Sequence, residues 1–349
     1  MSLRIIKTEH SEEWDNIVQS FKKYDVYYLS GYVKAFQLHG DGEPLLFYFE
    51  NDSTRAINVV MKRDIADSAK FKDKIPQKMY FDFSTPYGYG GFLVEGEDFK
   101  QIELEYTQYC KKNNIVSEFV RCHPVLNNVE KLKGIFDVKQ LGSTVCMDLS
   151  SQETIWNNCT SKGRNMVRKA QKSGMEVYWG RDDFLIDEFI NIYNRTMDRD
   201  IADSYYYFQR EFYESILKDL NSNAMFFYVR FKDEIIAMSI VMFCNCQMHY
   251  HLSASKKEYL NYAPTNLLLY EAACYGCDHG YQSFHLGGGL GAKQDSLYKF
   301  KKAFSRGEDK EFYIGKKIFL QESYDNLVEI RKSEEEYKEE NLFFPRYRG

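Results

Sequence analysis

Four glycines near the carboxyl end of the sequence could together hold an anion. They are Gly287, Gly288, Gly289 and Gly291, and they follow the short apolar run FHL. Glycine lets successive backbone N–H groups turn toward one point, and such nests bind phosphate oxygens. Glycine runs also form ordinary turns, so the pattern predicts either a phosphate-binding loop or a tight connection.

A cationic helix is predicted directly after this loop. Asp295 or Ser296 could cap it, with Leu297, Phe300 and Phe304 on its buried side. Lys301 comes four residues after Leu297, so it would lie beside the apolar stripe and could point into a cleft. The alternative is a solvated surface lysine.

A basic stripe forms a second candidate site. Arg164, Arg168 and Lys172 recur every four residues in a predicted helix over Gln152–Lys172. Such a face can hold phosphates, or it can simply be solvated.

The start of another helix is a third candidate site. Pro264 suits a first helical turn, and the free N–H groups around Thr265 and Asn266 would favour an anion. An ordinary capped helix has the same sequence pattern.

A polar strand provides possible cleft-lining residues. Alternation along HYHLSAS predicts that His249, His251 and Ser253 share one face, and that Tyr250 and Leu252 share the other. The polar face would line a cleft or meet solvent.

His123 ends a predicted strand in the first half and is a candidate general base. The imidazole pKa lies near neutrality, which suits proton transfer. A lone loop histidine can equally make a structural hydrogen bond.

The bulk composition narrows the class of protein. The chain has 349 residues, 44% of them apolar, and a net charge of −5, which argues against a protein whose whole surface binds nucleic acid but leaves room for a local basic site. Neither a membrane span nor a signal peptide is evident, so we expect a cytoplasmic protein without membrane insertion. We find no Walker loop, Rossmann glycine motif or nucleophile elbow.

The eight cysteines fit free thiols in that compartment. The spacings Cys244-x-Cys246 and Cys274-x-x-Cys277 raise the alternative of a zinc site, but their apolar surroundings favour buried thiols and no metal.

The predicted elements give an α+β fold. Helices, a three-stranded meander, then helix, strand, helix and strand follow one another in the second half. We predict a first domain over residues 1–143, a second over 144–325 that holds the donor site, and a solvated, charged tail over 326–349.

Several segments together resemble the FemABX-like proteins. The resemblance spans about residues 1–325 and is closest to the bacterial acetyltransferase branch of that family. The matching segments are TPYGYGG (85–91), SKGRNMVRKAQKSG (161–174), YNRTMDRD (193–200), HYHLSAS (249–255), APTNLLLYEAACYG (263–276), GGG (287–289) and DSLYKFKKAF (295–304).

The resemblance implies two tandem GNAT-type folds, each a mixed sheet flanked by helices, and transfer of an acyl group to an amine. Classical members use aminoacyl-tRNA and a peptidoglycan precursor, whereas GNAT relatives use acyl-coenzyme A. The resemblance implies donor contacts by Phe300 and Lys301. It also implies an acceptor site, which we place at Arg164, Tyr206, Tyr250, His251 and Tyr87.

Two departures from the classical pattern concern the acceptor and the tRNA. His123-Pro124 replaces an Asp-Pro, and about 25 residues between Asp198 and Met225 leave no room for the long helical arm.

The sequence therefore predicts an N-acyltransferase that acts on an amine of a cell-envelope precursor, either a peptidoglycan peptide or an amino sugar. Acyl-CoA or aminoacyl-tRNA would be a donor substrate rather than a permanent cofactor. Lys301 and His123 are the predicted catalytic residues. Membrane contact would be peripheral at most. The alternative is a non-catalytic protein that binds a glycan or nucleotide-sugar precursor.

Overall fold

The chain folds into two units, each with its own apolar core. The computed structural model describes residues 2–97, 99–333, 337 and 343–349. The first unit combines Met1–Leu141 with Phe312–Gly349, and the second comprises Gly142–Glu311. The predicted domain bounds differ from these at the carboxyl end, because 312–325 and the described part of the tail belong to the first unit.

The amino-terminal part of the first unit alternates strands and helices. Its elements are β1 (Ser2–Ile6), α1 (Ser11–Ser20), α2 (Ser30–His39), β2 (Glu43–Glu50), β3 (Arg55–Asp64), β4 (Phe81–Ser84), β5 (Leu93–Glu95), α3 (Phe99–Lys112), β6 (Ile115–Arg121) and α4 (Val129–Leu132).

The chain then enters the second unit along a long strand. The elements are β7 (Asp137–Asp148), α5 (Gln152–Asn158), α6 (Ser161–Lys172), β8 (Glu176–Gly180), α7 (Phe184–Arg199), α8 (Arg210–Asp219), β9 (Ala224–Phe231), β10 (Glu234–Cys244), β11 (Gln247–Ser255), α9 (Pro264–Asp278), β12 (Ser283–Gly287) and α10 (Ser296–Lys302). It returns to the first unit through β13 (Lys310–Ile318) and α11 (Gln321–Lys332).

Each unit contains a mixed sheet. The strand order in the first unit is β1-β2-β3-β4-β6-β13, with β5 beside β3, and β4 and β6 run parallel. In the second unit the order is β7-β12-β11-β10-β9-β8, and β11 and β12 run parallel. The predicted α+β class, with helices flanking mixed sheets, is confirmed.

The buried strand β10 shows how the second sheet is covered. Its residues from Ile236 to Cys244 are all buried, and both α7 and α9 pack against it. A strand covered on both faces has a continuous apolar run rather than alternation.

The predicted single helix over Gln152–Lys172 is wrong in one detail, because the helix is interrupted at Cys159. That residue is extended, and the Thr160 side chain accepts a hydrogen bond from the N–H of Gly163 at 3.1 Å. Thr160 therefore caps a new helix, α6, rather than continuing α5.

The prediction of a solvated tail is also wrong for the described residues. In α11, Tyr324, Leu327 and Val328 are buried, and Tyr347 near the carboxyl end is fully buried. The predicted tail also includes 334–336 and 338–342, which lie outside the described residues. No helix in the described ranges has the length and apolar character that a membrane crossing requires.

Candidate active site

The candidate site lies at one edge of the second sheet, where two parallel strands part. Strands β11 and β12 pair from Gln247↔Ser283 to His249↔His285, and β11 then continues to Ser255 without this partner. Helix α9 connects the two strands. Because the carboxyl ends of parallel strands meet at one edge, the start of α9 and the glycine loop after β12 lie at that edge too.

A bulge in β11 marks the point of divergence. Ile240 pairs with Leu252 but Val241 pairs with Tyr250, so His251 is an extra residue that has no paired residue on β10. The predicted alternation of His249 and His251 on one face is therefore wrong, because a bulge re-aims the side chains that follow it.

The start of α9 presents an uncapped amino terminus. Pro264 is the first helical residue, and Ala263 before it has a left-handed backbone with no side-chain cap. The N–H of Asn266 bonds to the Ala263 carbonyl at 3.1 Å. The positive end of the helix dipole, next to Thr265, is thus not capped by the side chain of the residue before the helix.

The glycine loop is a tightly closed turn. Gly287 has φ 78°, which favours glycine, and a Cβ on Gly288 would lie 2.9 Å from the Ser143 carbonyl oxygen. Asp295 accepts hydrogen bonds from the N–H groups of Leu290 at 3.0 Å and Tyr298 at 2.9 Å. Of the two predicted caps, Asp295 and Ser296, the structure shows Asp295, and the same carboxylate holds the loop.

Lys301 projects from α10 to the backbone of this loop. Its Nζ donates to the Gly288 carbonyl oxygen at 2.7 Å and lies 5.9 Å from the centre of the Tyr250 ring. The residue is only 8% exposed. Burial lowers its pKa to about 8, although the charge of Asp295 opposes this. An ammonium group has three donors, so it can also bind a ligand oxygen.

Phe300, the other residue of the predicted donor pair, is half-buried. Its ring lies 5.6 Å from that of Phe304 and packs against the apolar core of the unit. Leu297, which was predicted on the same buried side of α10, is 42% exposed, so that part of the prediction is wrong.

Histidines of β11 and β12 lie side by side near the point of divergence. The His249 and His285 rings are 5.6 Å apart, and His285 Nε2 lies 2.9 Å from Thr144 Oγ1.

Burial and then the charge of His249 lower the pKa of His251 to about 3, so that imidazole is neutral at pH 7. Burial raises the pKa of Tyr250 to about 12, although Ser253 opposes this.

His285 and Thr144 were not among the predicted site residues. Parallel pairing of the two strands that flank α9 would have placed His285 opposite His249.

Arg164 and Tyr206 also lie in the second unit. Arg164 donates to the Cys159 carbonyl oxygen at 2.7 Å, at the end of α5. The neighbouring Thr160 N–H reaches the Ala303 carbonyl oxygen, 2.8 Å away, after α10. Tyr206 ends a 3-10 turn after α7, with its ring 5.4 Å from that of Tyr205. Their roles at the acceptor stay predictions.

His123 and Tyr87 lie in the first unit. His123 Nδ1 accepts a hydrogen bond from the Leu126 N–H at 3.1 Å, and Nε2 lies 3.0 Å from Asp25 Oδ2. Nδ1 is therefore occupied by a hydrogen bond in this conformation, and Nε2 faces the Asp25 carboxylate. The Tyr87 ring stacks on Phe36, 5.5 Å away. The predicted catalytic role of His123 and the acceptor role of Tyr87 stay predictions.

Comparison with known families identifies the segment that carries the candidate site. Residues 158–302 match the family model of the acetyltransferase (GNAT) domain. The matched segment lies in the second unit and extends from the end of α5 to the end of α10. No curated protein matches the sequence.

Solved structures share the fold over nearly the whole chain. FemX has a TM-score of 0.67 at 15% identity, over 93% of this chain and 99% of FemX. A conserved protein of unknown function from Bacteroides thetaiotaomicron has a TM-score of 0.60 at 11% identity, over 90% and 99% of the two chains.

The C-terminal domain of a candidate lysylphosphatidylglycerol synthetase from Agrobacterium fabrum has a TM-score of 0.57 at 11% identity, over 92% and 96%. At these identities the likeness is one of fold. At that level the predicted resemblance to FemABX-like proteins is confirmed.

Proposed function

We propose that this protein is an N-acyltransferase that passes an acyl group from a phosphate-bearing donor to an amine of a cell-envelope precursor. One observation carries the proposal. Beyond His249↔His285 the two parallel strands part, and the buried Lys301 bonds to Gly288 directly after β12, with its Nζ 5.9 Å from the Tyr250 ring centre on β11.

Three features favour an anionic donor at this edge. The amino terminus of α9 has no side-chain cap, the glycine loop brings backbone close to the site, and Lys301 supplies a buried cation. Acyl-coenzyme A is the donor we propose, because the match to the GNAT domain spans all three features. Aminoacyl-tRNA carries the same phosphate chemistry and is the second donor to test.

The strand edge of β11 would hold the reacting carbonyl. Between Tyr250 and Ser255 this edge no longer pairs with β12, so a backbone N–H there can donate to the carbonyl oxygen. Holding donor and amine in contact can by itself contribute on the order of 7–11 kcal/mol.

The reaction then needs few groups from the protein. The neutral amine attacks the thioester carbon, the C–N bond forms and the C–S bond breaks. The thiolate leaves and takes up the proton that the new amide nitrogen loses. Since Nδ1 of His123 is hydrogen-bonded to Leu126 and Nε2 faces the Asp25 carboxylate, we assign this residue no step in the reaction.

The acceptor is proposed from the resemblance of the sequence to FemABX-like proteins and from the fold shared with FemX. Arg164, Tyr206, Tyr250 and His251 are the side chains of the second unit that we assign to its recognition.

Calorimetry of the purified full chain with coenzyme A, and separately with an aminoacylated acceptor-stem RNA, tests the donor. We expect Lys301→Ala to weaken binding of the true donor about tenfold or more, since a hydrogen bond to a charged group contributes about 1.5–3 kcal/mol. Lys299→Ala, an exposed lysine on the same helix, is the matched control and should bind as the wild type does.

Transfer is then measured with the donor that binds and a panel of muramyl-peptide and amino-sugar acceptors. Amide formation supports the proposal. Failure of both donors to bind overturns it. Binding of an acceptor without transfer from either donor also overturns it, in favour of the non-catalytic alternative.

A further inference from the structure

The second unit contains a cavity of about 480 Å³ beside the carboxyl-terminal half of α9. Helix α9 supplies one wall, and α5, α6 and β8 supply the others. The lining residues are Gln152, Gln171, Trp179, Tyr270, Glu271, Cys274, Tyr275, Asp278 and His279.

This cavity lies far from the candidate acyl-transfer site along the same helix. The donor edge is at Pro264, whereas the cavity begins at Tyr270 and extends to His279. At 1.5 Å per residue, Tyr275 is about 16 Å from the start of α9. The cavity is therefore a separate feature, and the inference below does not rest on the proposed function.

Aromatic rings form much of the cavity wall. Trp179 lies on the edge strand β8, is 50% exposed, and has its ring centre 5.0 Å from that of Tyr275. Tyr275 also stacks on His279 at 3.8 Å. A half-exposed tryptophan at the mouth of a cavity leaves a large π surface open to a ligand.

The charge of the cavity is negative. Glu271 and Asp278 line it, and neither lysine nor arginine is among the described residues that do so. The Glu271 carboxyl is about half buried, which raises its pKa although Gln171 donates to it. Asp278 accepts a hydrogen bond from Gln152 Nε2 at 2.8 Å. Within the described ranges neither carboxylate forms an ion pair.

Aromatic faces together with unpaired carboxylates suit an organic cation. A ring attracts a cation through its quadrupole, and a carboxylate that is not paired with a lysine or arginine supplies the opposite charge. We propose that this cavity binds an organic ammonium group, either a primary amine or a quaternary ammonium, between Trp179, Tyr275 and Glu271.

Titration of tryptophan fluorescence, checked by calorimetry, tests the proposal. The probes are choline, glucosamine and N-acetylglucosamine, because the last two share the sugar ring and differ in the charged amine. We expect saturable binding of choline and glucosamine, and at least tenfold weaker binding of N-acetylglucosamine.

Glu271→Gln keeps the shape of the side chain and removes its charge, so affinity for both cations should fall at least tenfold. Glu211→Gln, an exposed acid on α8, is the control and should leave binding unchanged. Circular dichroism verifies that both variants are folded.

Equal binding of glucosamine and N-acetylglucosamine would overturn the proposal and mark a neutral saccharide site. An absence of saturable binding by all three probes, or an unchanged affinity in Glu271→Gln, would also overturn it.

Discussion

At the scale of single residues, burial of Lys301 links stability to pH. Its folded pKa is about 8, against 10.5 for an ordinary lysine. Between these values the unfolded chain holds the proton that the folded chain has released, so the free energy of unfolding rises with pH. The full difference corresponds to about 3 kcal/mol.

Urea unfolding of the wild type and Lys301→Met from pH 7.5 to 10.5 measures this effect. The stability of the wild type relative to the variant should increase by up to about 3 kcal/mol over that range. Lys299→Met, which changes an exposed lysine of the same helix, should run parallel to the wild type. If the stability of Lys301→Met also ran parallel to that of the wild type across this pH range, the burial of a titrating ammonium would be contradicted.

Burial of Glu118 in the first unit makes stability depend on pH in the opposite direction. Burial raises its pKa to about 7, against a usual 4.5, although Tyr106 and Asn58 donate to the carboxylate. The folded chain therefore holds the extra proton between these values, and the free energy of unfolding falls as pH rises. Relative to the wild type, Glu118→Gln should gain up to about 3 kcal/mol between pH 4.5 and 7.

Glu103 provides the contrast for this comparison of stability across pH. Partial burial raises the pKa of its carboxyl, but the hydrogen bond and charge of Lys317 lower it below its usual value. Glu103→Gln should therefore lose stability relative to the wild type as pH rises. The same trend in both variants would argue against the buried, protonated state of Glu118.

At the scale of elements, the sequence predicts hairpins and helix starts, but it does not predict irregularities within a strand. The hairpins of the meander, the proline at the start of α9 and the cap at Asp295 follow from local chemistry. The bulge at His251 does not, because an extra residue in a strand is defined by its neighbour rather than by its own type.

The glycine loop shows the same limit. Its sequence suggested freedom of the backbone, whereas the structure shows that lack of space is decisive at Gly289. A Cβ there would overlap the Lys293 carbonyl oxygen and Asp295 Oδ1, although φ is an ordinary −85°. Such overlap depends on residues that come four and six positions later, which no spacing rule predicts.

Gly289→Ala should therefore destabilise the protein by about 1–3 kcal/mol, as overpacking does. The loop would have to shift, which moves the Gly288 carbonyl away from Lys301 and weakens donor binding. Thermal unfolding and calorimetry with the donor measure the two effects. Gly307→Ala, where a Cβ meets only Ser305 Oγ at 3.4 Å, is the control and should be tolerated. Unchanged stability of Gly289→Ala would contradict the closed loop.

At the scale of the whole molecule, the return of the chain to the first unit was not predictable from the sequence. The stretch after the second unit is rich in charge, and charge usually indicates a solvated surface. In the structure its last residues are tied to β4, more than 200 positions earlier. What separates a packed carboxyl terminus from a solvated one here is the long-range pairing of a buried acid with a terminal arginine. Local sequence patterns do not show such a pairing.

That pairing centres on Asp82, whose side chain is fully buried. Arg63 Nε lies 2.8 Å from Asp82 Oδ1, Arg348 Nη2 lies 3.1 Å from the same oxygen, and the Tyr347 hydroxyl donates to Oδ2 at 3.1 Å. Burial alone would raise the carboxyl pKa, but Arg63 and Arg348 lower it below its usual value. The ionised pair therefore stabilises the fold at neutral pH, and this stabilisation is lost as pH falls through the folded pKa.

Arg348→Met should lower the free energy of unfolding by about 3 kcal/mol at pH 7, because a buried carboxylate loses one of its two cations. The gap from the wild type should narrow in acid, where Asp82 is protonated. Hydrogen exchange should accelerate in β4 and β6 of the first unit while β10 of the second keeps its protection. Lys332→Met, which removes an exposed pair with Glu329, should cost no more than about 1 kcal/mol. If Arg348→Met costs no more than that control, the carboxyl terminus does not close the first unit.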